Sequence, residues 1–346
     1  MERGNAGRER HPPLCRPAPG RASDPLLSKN RGPGSTVKKG KLARWGSTAL
    51  LLTLVIIPAQ CTREKGPTAP VERVYSEQLL IGLIPEHNVF TQLERYEPLA
   101  SYLSGKVGVE VKLKILSRYG NIIDNFVSLG LDGAFFGSFT YGLAHAKLGL
   151  DVLARPESAD GVSSYYGLIF VRKASGIASA ADMKGKRFAF VDKATTAGYL
   201  LPLVYFKENG IPDYREYFSE TYFTGTHEDS IYDVLNGRAD VGAAKNTVYY
   251  RIAQSDSRLL NDLEILAQSP SVPENALAVR GDLDGELKDR LKTVLLTMHQ
   301  DPEGEAVLRN FGVSRFIETV NEDYAPVYDY AELAGLELAT YDWVNE

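Results

Sequence analysis

The chain has 346 residues, 44% hydrophobic and 24% charged, with a formal net charge of −5, an ordinary balance for a globular protein of one large or two medium domains. Residues 1–61 carry 11 Lys/Arg against Glu2, Glu9 and Asp24, so residues 62–346 hold 28 basic and 41 acidic residues and lack the basic surplus a general nucleic-acid binder needs. The two cysteines are Cys15 and Cys61, which excludes disulfides, thiol nucleophiles and zinc-thiolate sites from everything after Cys61.

Residues 1–36 are rich in Arg, Pro and Gly without periodicity and are expected to be disordered. The stretch 38–61, KKGKLARWGSTALLLTLVIIPAQC, is a basic segment, an apolar run and a cysteine. The run Ala49–Ile57 is shorter than the ~20 residues that span a bilayer and fits the apolar core of a secretory signal. Its end on Cys61 suggests a bacterial lipoprotein signal over 37–61, with Cys61 acylated. Pro58-Ala59-Gln60 departs from the usual aliphatic and small residues before that cysteine, so cleavage nearby without lipid stays open. A signal beginning at Val37 suggests that translation starts there. Residues 62–76 read as a tether.

From residue 78 strand-like and helix-like segments alternate. QLLIGLI (78–84) is a candidate buried strand. Pro98 is expected to open a helix that closes at a glycine, and VEVKLKIL (109–116) alternates as a strand. A helix over 119–130, a strand over 131–137 and a helix over 138–149 follow. The strand at 165–173 precedes a restart: a strand at 187–192, a helix from about Thr196, a strand around 214–223, a helix over 227–237 and a strand over 239–245. ALAVRG (276–281) is a further strand and 285–301 an amphipathic helix. The pattern predicts an α/β protein of two doubly wound lobes. Lobe 1 is 77–167 with 277–346 and lobe 2 is 168–276, with crossings expected at 165–173 and 276–281.

In open α/β sheets ligands sit beyond the carboxyl ends of strands, where helices begin. Ser138 and Thr140, then Thr195 and Thr196, then Thr226 and His227 stand at such turns. Free N–H groups and the helix dipole favour an oxyanion there, although Ser and Thr are also plain N-caps, and Thr226 with Asp229 resembles a capping box. Lys245 stands just past a buried strand and either reaches the cleft or is solvated in a loop. One of Tyr165 and Tyr166 could wall the cleft, or both could simply pack.

Competing chemistry finds less support. His227, Glu228 and Asp229 are consecutive, so on a helix they diverge and cannot chelate one metal together. His11, His87, His145 and His299 are scattered without metal-binding spacing. The chain lacks G-x-S-x-G, G-x-x-x-x-G-K-[ST] and G-x-G-x-x-G, so neither a hydrolase elbow nor a nucleotide site is indicated. No metal or cofactor is expected.

LIGLIPE, RYEPLASYLS, LDGAFFGSFTYG, SYYGLIFVRKASGI, DMKGKRFAFVDKATTAGYLLP, FTGTHEDSIYDVLNGRADVGAAK and VPENALAV together resemble the phosphate/phosphite/phosphonate-binding subunits of ABC importers over about 78–320. The resemblance implies a type II periplasmic binding protein, two lobes closing on a small ligand. Carried over residue by residue, it puts Thr195, Thr196 and the Ala197 N–H at the hydroxyl-rich helix start. It makes His227 the ligand-contacting imidazole, sets Tyr96 at the rim, and places Ser138 and Tyr141 in the facing wall. Tyr166 and Lys245 complete the candidate ligand-binding set. Family members that take aminoalkyl phosphonates place acidic residues where an ammonium lies. The GAAKNT run with Lys245 instead favours phosphate, phosphite or an anionic organophosphonate. The resemblance implies a non-enzymatic monomer at the cell envelope, anchored through Cys61, that delivers its ligand to an ABC permease and its ATPase. A ligand sensor of the same fold coupled to a membrane signalling partner is the alternative.

Overall fold

The computed structural model describes residues 16–17, 77–86 and 88–345. The predicted signal (37–61), Cys61 and the tether lie outside the described residues. Two mixed six-stranded sheets form the body. In the first, the strand order is Arg315–Glu318, Asp151–Glu157, Ala276–Val279, Gly133–Phe136, Gln78–Leu83, Glu110–Ile115. In the second it is Arg16–Pro17, Leu263–Gln268, Gly167–Arg172, Val241–Lys245, Arg187–Phe190, Glu220–Phe223. The pair Arg16–Pro17 falls within the stretch expected to lack order and lies antiparallel to Leu263–Gln268.

From Gln78 onward the chain crosses between the sheets twice, and the two crossing segments, Ser164–Tyr165 and Val272–Pro273, pair antiparallel with each other. Both crossings thus come slightly earlier than the sequence pattern suggests. Gly167–Arg172 is wholly a strand of the second sheet, and Ala276–Val279 lies wholly within the first. This is the two-lobed α/β architecture expected of a type II periplasmic binding protein.

The inner strands of each sheet are buried on both faces, which is why they read as apolar runs, while the edge strand Glu110–Ile115 alternates. In the first lobe, Leu79, Ile81, Leu83 and Phe135 pack with Leu99, Leu103, Leu291 and Leu295 on one face. Ile84, Ala134 and Phe136 pack with Ile122, Phe139 and Leu143 on the other. The second lobe divides the same way, with Phe188, Phe190 and Phe206 on one side and Phe170, Ile231 and Tyr249 on the other. Among the described residues no helix is long and apolar enough to cross a membrane.

Three local expectations need correction. The first long helix runs Val89–Val107, so Pro98 lies inside it rather than opening it. Asn88 caps its start by accepting the Thr91 N–H, and Gly108 ends it at φ 81°. An internal proline removes the hydrogen bond to the carbonyl four residues back. That carbonyl is Glu94 O, and it accepts from Asn310 Nδ2 at 2.9 Å instead. The stretch 214–223 is a helical turn, Tyr214–Tyr217, followed by the strand Glu220–Phe223. The C-terminal segment, assigned by the sequence pattern to lobe 1, touches both lobes. Lys207 Nζ donates to Leu333 O at 2.8 Å and Tyr341 donates to Lys193 O at 2.9 Å on lobe 2. Lys147 of lobe 1 lies 4.4 Å from the centroid of the Trp343 ring.

Asp240 ties the near end of the second sheet together. It accepts from the Arg187 backbone N–H at 3.0 Å and from its guanidinium at 3.0 and 3.1 Å, with Arg172 at 3.4 Å. These hydrogen bonds hold its carboxyl below the usual range. A depressed carboxyl stabilises the fold above its unfolded value of about 4 and loses that contribution as pH falls through the folded value. Asp240→Asn should therefore lower Tm at pH 7, and the gap from the parent should narrow on acidification below about pH 4. Thermal melts across pH 3–7 measure this.

Candidate functional site

Three helix starts meet at the face between the lobes. Gly137 precedes the helix Ser138–Leu148. Thr195 precedes a π-helical turn, Thr196–Leu200, that runs into the helix Leu201–Glu208. Thr226 precedes the helix His227–Leu235. Ser138, Thr140, Thr195, Thr196 and His227 are all buried.

The first two starts touch directly. Thr196 Oγ1 accepts the Phe139 N–H at 2.9 Å, and Thr140 Oγ1 donates to Ala194 O at 2.8 Å. The Tyr165 hydroxyl interacts with the Ser138 and Thr196 side chains, and Ser138 Oγ also donates to Pro273 O of the crossing pair at 2.5 Å. Burial pushes the Tyr165 hydroxyl up, with Lys245, Ser138 and Thr196 opposing.

The turn that carries the threonines is packed to its limit. Leu200 N–H reaches Thr195 O at 3.1 Å, the five-residue step of a π turn, and Val191 N–H donates to Gly198 O at 3.2 Å. A Cβ on Gly198 would stand 2.4 Å from Val191 Cβ and 2.8 Å from Thr195 Oγ1. Only glycine fits that position. Ala197 packs against Gly167 of the second sheet.

His227 follows its cap. Thr226 Oγ1 accepts the Asp229 N–H at 3.0 Å, so the capping role read from sequence is seen. His227 Nδ1 accepts the Lys245 backbone N–H at 3.3 Å, which leaves Nε2 as the protonated position of the neutral ring. The Tyr119 ring of the first lobe stands edge-on to the imidazole, centroids 5.9 Å apart. Tyr119 is 2% exposed, and its hydroxyl has no hydrogen-bond partner among the described residues. Burial, then Glu86, drives its pKa well up, so it remains a donor at any ordinary pH.

Beside this hydroxyl cluster is a charged half. Lys245 Nζ lies 3.1 Å from Glu86 Oε1 and 3.1 Å from Asn275 Oδ1, and it also bonds the Glu274 carboxylate. Burial alone would lower its pKa, but Glu274 and Glu86 outweigh burial, and the net shift is upward. Lys245 therefore stays an ammonium. Because Asn275 offers its oxygen to Lys245, its Nδ2 faces away, and that atom is buried without a partner among the described residues. These groups, with Arg95, Tyr96 and Arg251, line a cavity of about 310 Å3. Burial and the like charge of Arg95 lower the Arg251 pKa.

The structure brings Tyr96, Ser138, Thr195, Thr196, Ala197, His227 and Lys245 to this region, and separates two other candidates from it. Tyr166 points away: its N–H donates to Asn246 Oδ1 at 3.0 Å and its ring packs with the Phe170–Tyr249 core. Adjacent strand residues face opposite sides, so Tyr165 is the tyrosine of the pair that enters the cleft. Tyr141 is also misplaced by the sequence reading. It lies three residues into its helix, about 4.5 Å along the axis, where its ring packs at a tilt against Tyr324, centroids 4.4 Å apart, and its hydroxyl reaches Asn321. Tyr96 is a wall rather than an open rim, edge-on to Phe135 and Phe311. Tyr119, Glu86, Glu274 and Asn275 were not singled out by sequence, and Tyr165 was named only as the alternative to Tyr166. The only signal for them was their place in strand-end loops and in the VPEN stretch. Among the described residues no cluster of three or more His, Cys, Asp or Glu side chains could hold a metal.

Comparison with known proteins places the chain. The family model described as "ABC transporter, phosphonate, periplasmic substrate-binding protein" matches residues 81–324. A phosphonates-binding periplasmic protein of Escherichia coli is 26% identical over 258 residues, 73% of this chain and 75% of that one. The phosphate-import protein PhnD of Mycolicibacterium smegmatis is 25% identical over 252 residues, 70% and 78% of the two chains. The crystal structure of a binding protein of Prochlorococcus marinus in complex with methylphosphonate superposes with TM-score 0.66 at 22% identity, covering 74% of this chain and 97% of that one. The chain belongs to the periplasmic substrate-binding protein family of ABC phosphonate transporters.

Gly198→Ala should displace the Val191 and Thr195 side chains and cost ~1–3 kcal/mol. Thermal melting should show the lower Tm, with the threonine turn's near-ultraviolet or NMR signature altered.

Proposed function

We propose that this member of the family captures a small phosphorus oxyanion, namely phosphate, phosphite or an anionic phosphonate, and delivers it to an ABC permease and its ATPase. It acts as a monomeric carrier rather than an enzyme, at the cell envelope, with Cys61 as the lipid attachment point. The observation that carries the reading is the buried Tyr119 hydroxyl. A buried donor without a partner costs roughly 1–3 kcal/mol, and this one faces a histidine and lies near a hydroxyl cluster at the junction of two lobes.

An oxyanion supplies the acceptor that the Tyr119 hydroxyl and the Asn275 Nδ2 lack among the described residues. Tyr119 Oη, His227 Nε2 and Asn275 Nδ2 are donors, and Ser138, Thr195, Thr196 and Tyr165 bring hydroxyls that can turn toward a ligand. Hydrogen bonds to an anion are worth about 1.5–3 kcal/mol each, and the three helix starts add the positive end of their dipoles. Neutral donors on two lobes also make closure depend on the ligand: an anion bonded to both walls favours the closed arrangement by its extra contacts there. A site built this way rejects ions with the wrong number of acceptors, because each unmatched donor then stays buried and unpaired.

Isothermal titration of the purified chain with phosphate, phosphite and methylphosphonate tests the reading. We expect saturable one-site binding to at least one of them, and no heat from any at millimolar concentration would overturn it. Tyr119→Phe should melt at the same temperature as the parent or higher without ligand, since it deletes an unpaired polar group, yet bind the preferred anion about tenfold more weakly. His227→Ala should weaken binding at least as much. Equal affinity in both variants would remove them from the site.

A further inference from the structure

The environment of the Lys245 side chain is a recognition site in its own right. The ammonium is held by two carboxyl groups, Glu86 and Glu274, by the Asn275 amide oxygen, and by the face of Tyr165, whose ring centroid is 4.3 Å from Nζ. The Lys245 side chain is 4% exposed. Three oxygen acceptors match the three N–H donors of a primary ammonium, and an aromatic face covers the remaining side. Lys245 comes from the end of the strand Val241–Lys245 in the second lobe. Glu86 follows the strand Gln78–Leu83 of the first, and Glu274 and Asn275 follow the crossing segment Val272–Pro273.

Tyr165 links this cage to the hydroxyl cluster. Its ring face covers the Lys245 ammonium while its hydroxyl meets Ser138 and Thr196. An ammonium in the cage therefore stands one tyrosine ring away from the place where an oxyanion would be held. Arg95, Arg251 and Asp160 line the adjoining cavity, and Glu86 and Glu274, the acids nearest the ammonium position, are already bonded to Lys245.

We propose that Lys245 is the specificity-determining residue of the cleft: its ammonium fills a built-in alkylammonium site, and so bars any ligand that carries an ammonium beside its phosphorus group. The ligand half of this statement rests on the oxyanion reading above; the cage does not. A ligand ammonium would have to share Glu86 and Glu274 with a buried like charge, and like charges a few ångströms apart in a poorly solvated site repel strongly. Removing the lysine side chain should leave the acceptors in place and expose the site.

The test compares the parent with Lys245→Ala. In thermal melts, 50 mM propylammonium chloride should raise the Tm of Lys245→Ala by several degrees beyond the same concentration of sodium chloride, and should leave the parent at its sodium chloride value. In titrations, the parent should bind 2-aminoethylphosphonate at least 100-fold more weakly than methylphosphonate, and Lys245→Ala should shift that ratio at least tenfold toward the amino compound. The proposal is overturned if the parent binds the two phosphonates equally, or if propylammonium acts on Lys245→Ala no differently from sodium. Should Lys245→Ala fail to fold, the parent's discrimination between the two phosphonates decides the matter alone. A propylammonium response in the variant together with a parent that binds no phosphorus anion supports the cage and overturns the oxyanion reading, so the two failures are distinct.

Discussion

A polar group taken out of water must find a partner, and the junction of the two lobes is made of such groups. Thr196 Oγ1 takes the Phe139 N–H, Thr140 gives its hydroxyl proton to Ala194 O, and Lys245 crosses to Glu86. Each bond joins one lobe to the other. The lobes are thus brought together by directional contacts that set their register closely, and among the described residues few buried donors remain unpaired. Tyr119 Oη and Asn275 Nδ2 are two that do, and both lie at this junction.

The fold supplies the geometry for this. Crossing segments Ser164–Tyr165 and Val272–Pro273 pair with each other, so the two passes between lobes act as one ribbon rather than as two independent hinges. Tyr165 on that ribbon reaches both the hydroxyl cluster and the lysine, and Ser138 bonds Pro273 O of the same ribbon. The C-terminal segment adds another tie between the lobes. Asn345 bonds both the Lys193 N–H and Asp192, while Trp343 packs at Gly120 of the first lobe. Asp192 is buried, and burial raises its pKa against the opposing pull of the Ala194 N–H and Asn345.

Much of the site was legible because helix starts leave a local signature. Small and hydroxyl residues before an apolar helix mark a cap and an anion-friendly turn together, and Thr195, Thr196, Thr226 and His227 were found that way. The errors came where local pattern underdetermines direction. Pro98 reads as a helix opener until Asn310, far along the chain, satisfies Glu94 O. Tyr165 and Tyr166 are interchangeable in sequence and opposite in space. Tyr141 shares a turn with Ser138 but faces a core assembled from residues 321–330. The cage residues Glu86 and Glu274 looked like ordinary acids in loops.

By itself the sequence determined the alternation of strands and helices, the two-lobed α/β class, the helix-start chemistry and the absence of cysteine from residues 62–346. Those follow from short-range rules: apolar period, capping preference and composition. Tertiary structure decided which side chains share a site. Lys245 meets Glu86 across 159 residues of chain and Asn275 across 30, and no local rule fixes such distances. A lysine after a buried strand could be solvated or caged, and only the packing of one lobe against the other made it the ammonium inside the cleft.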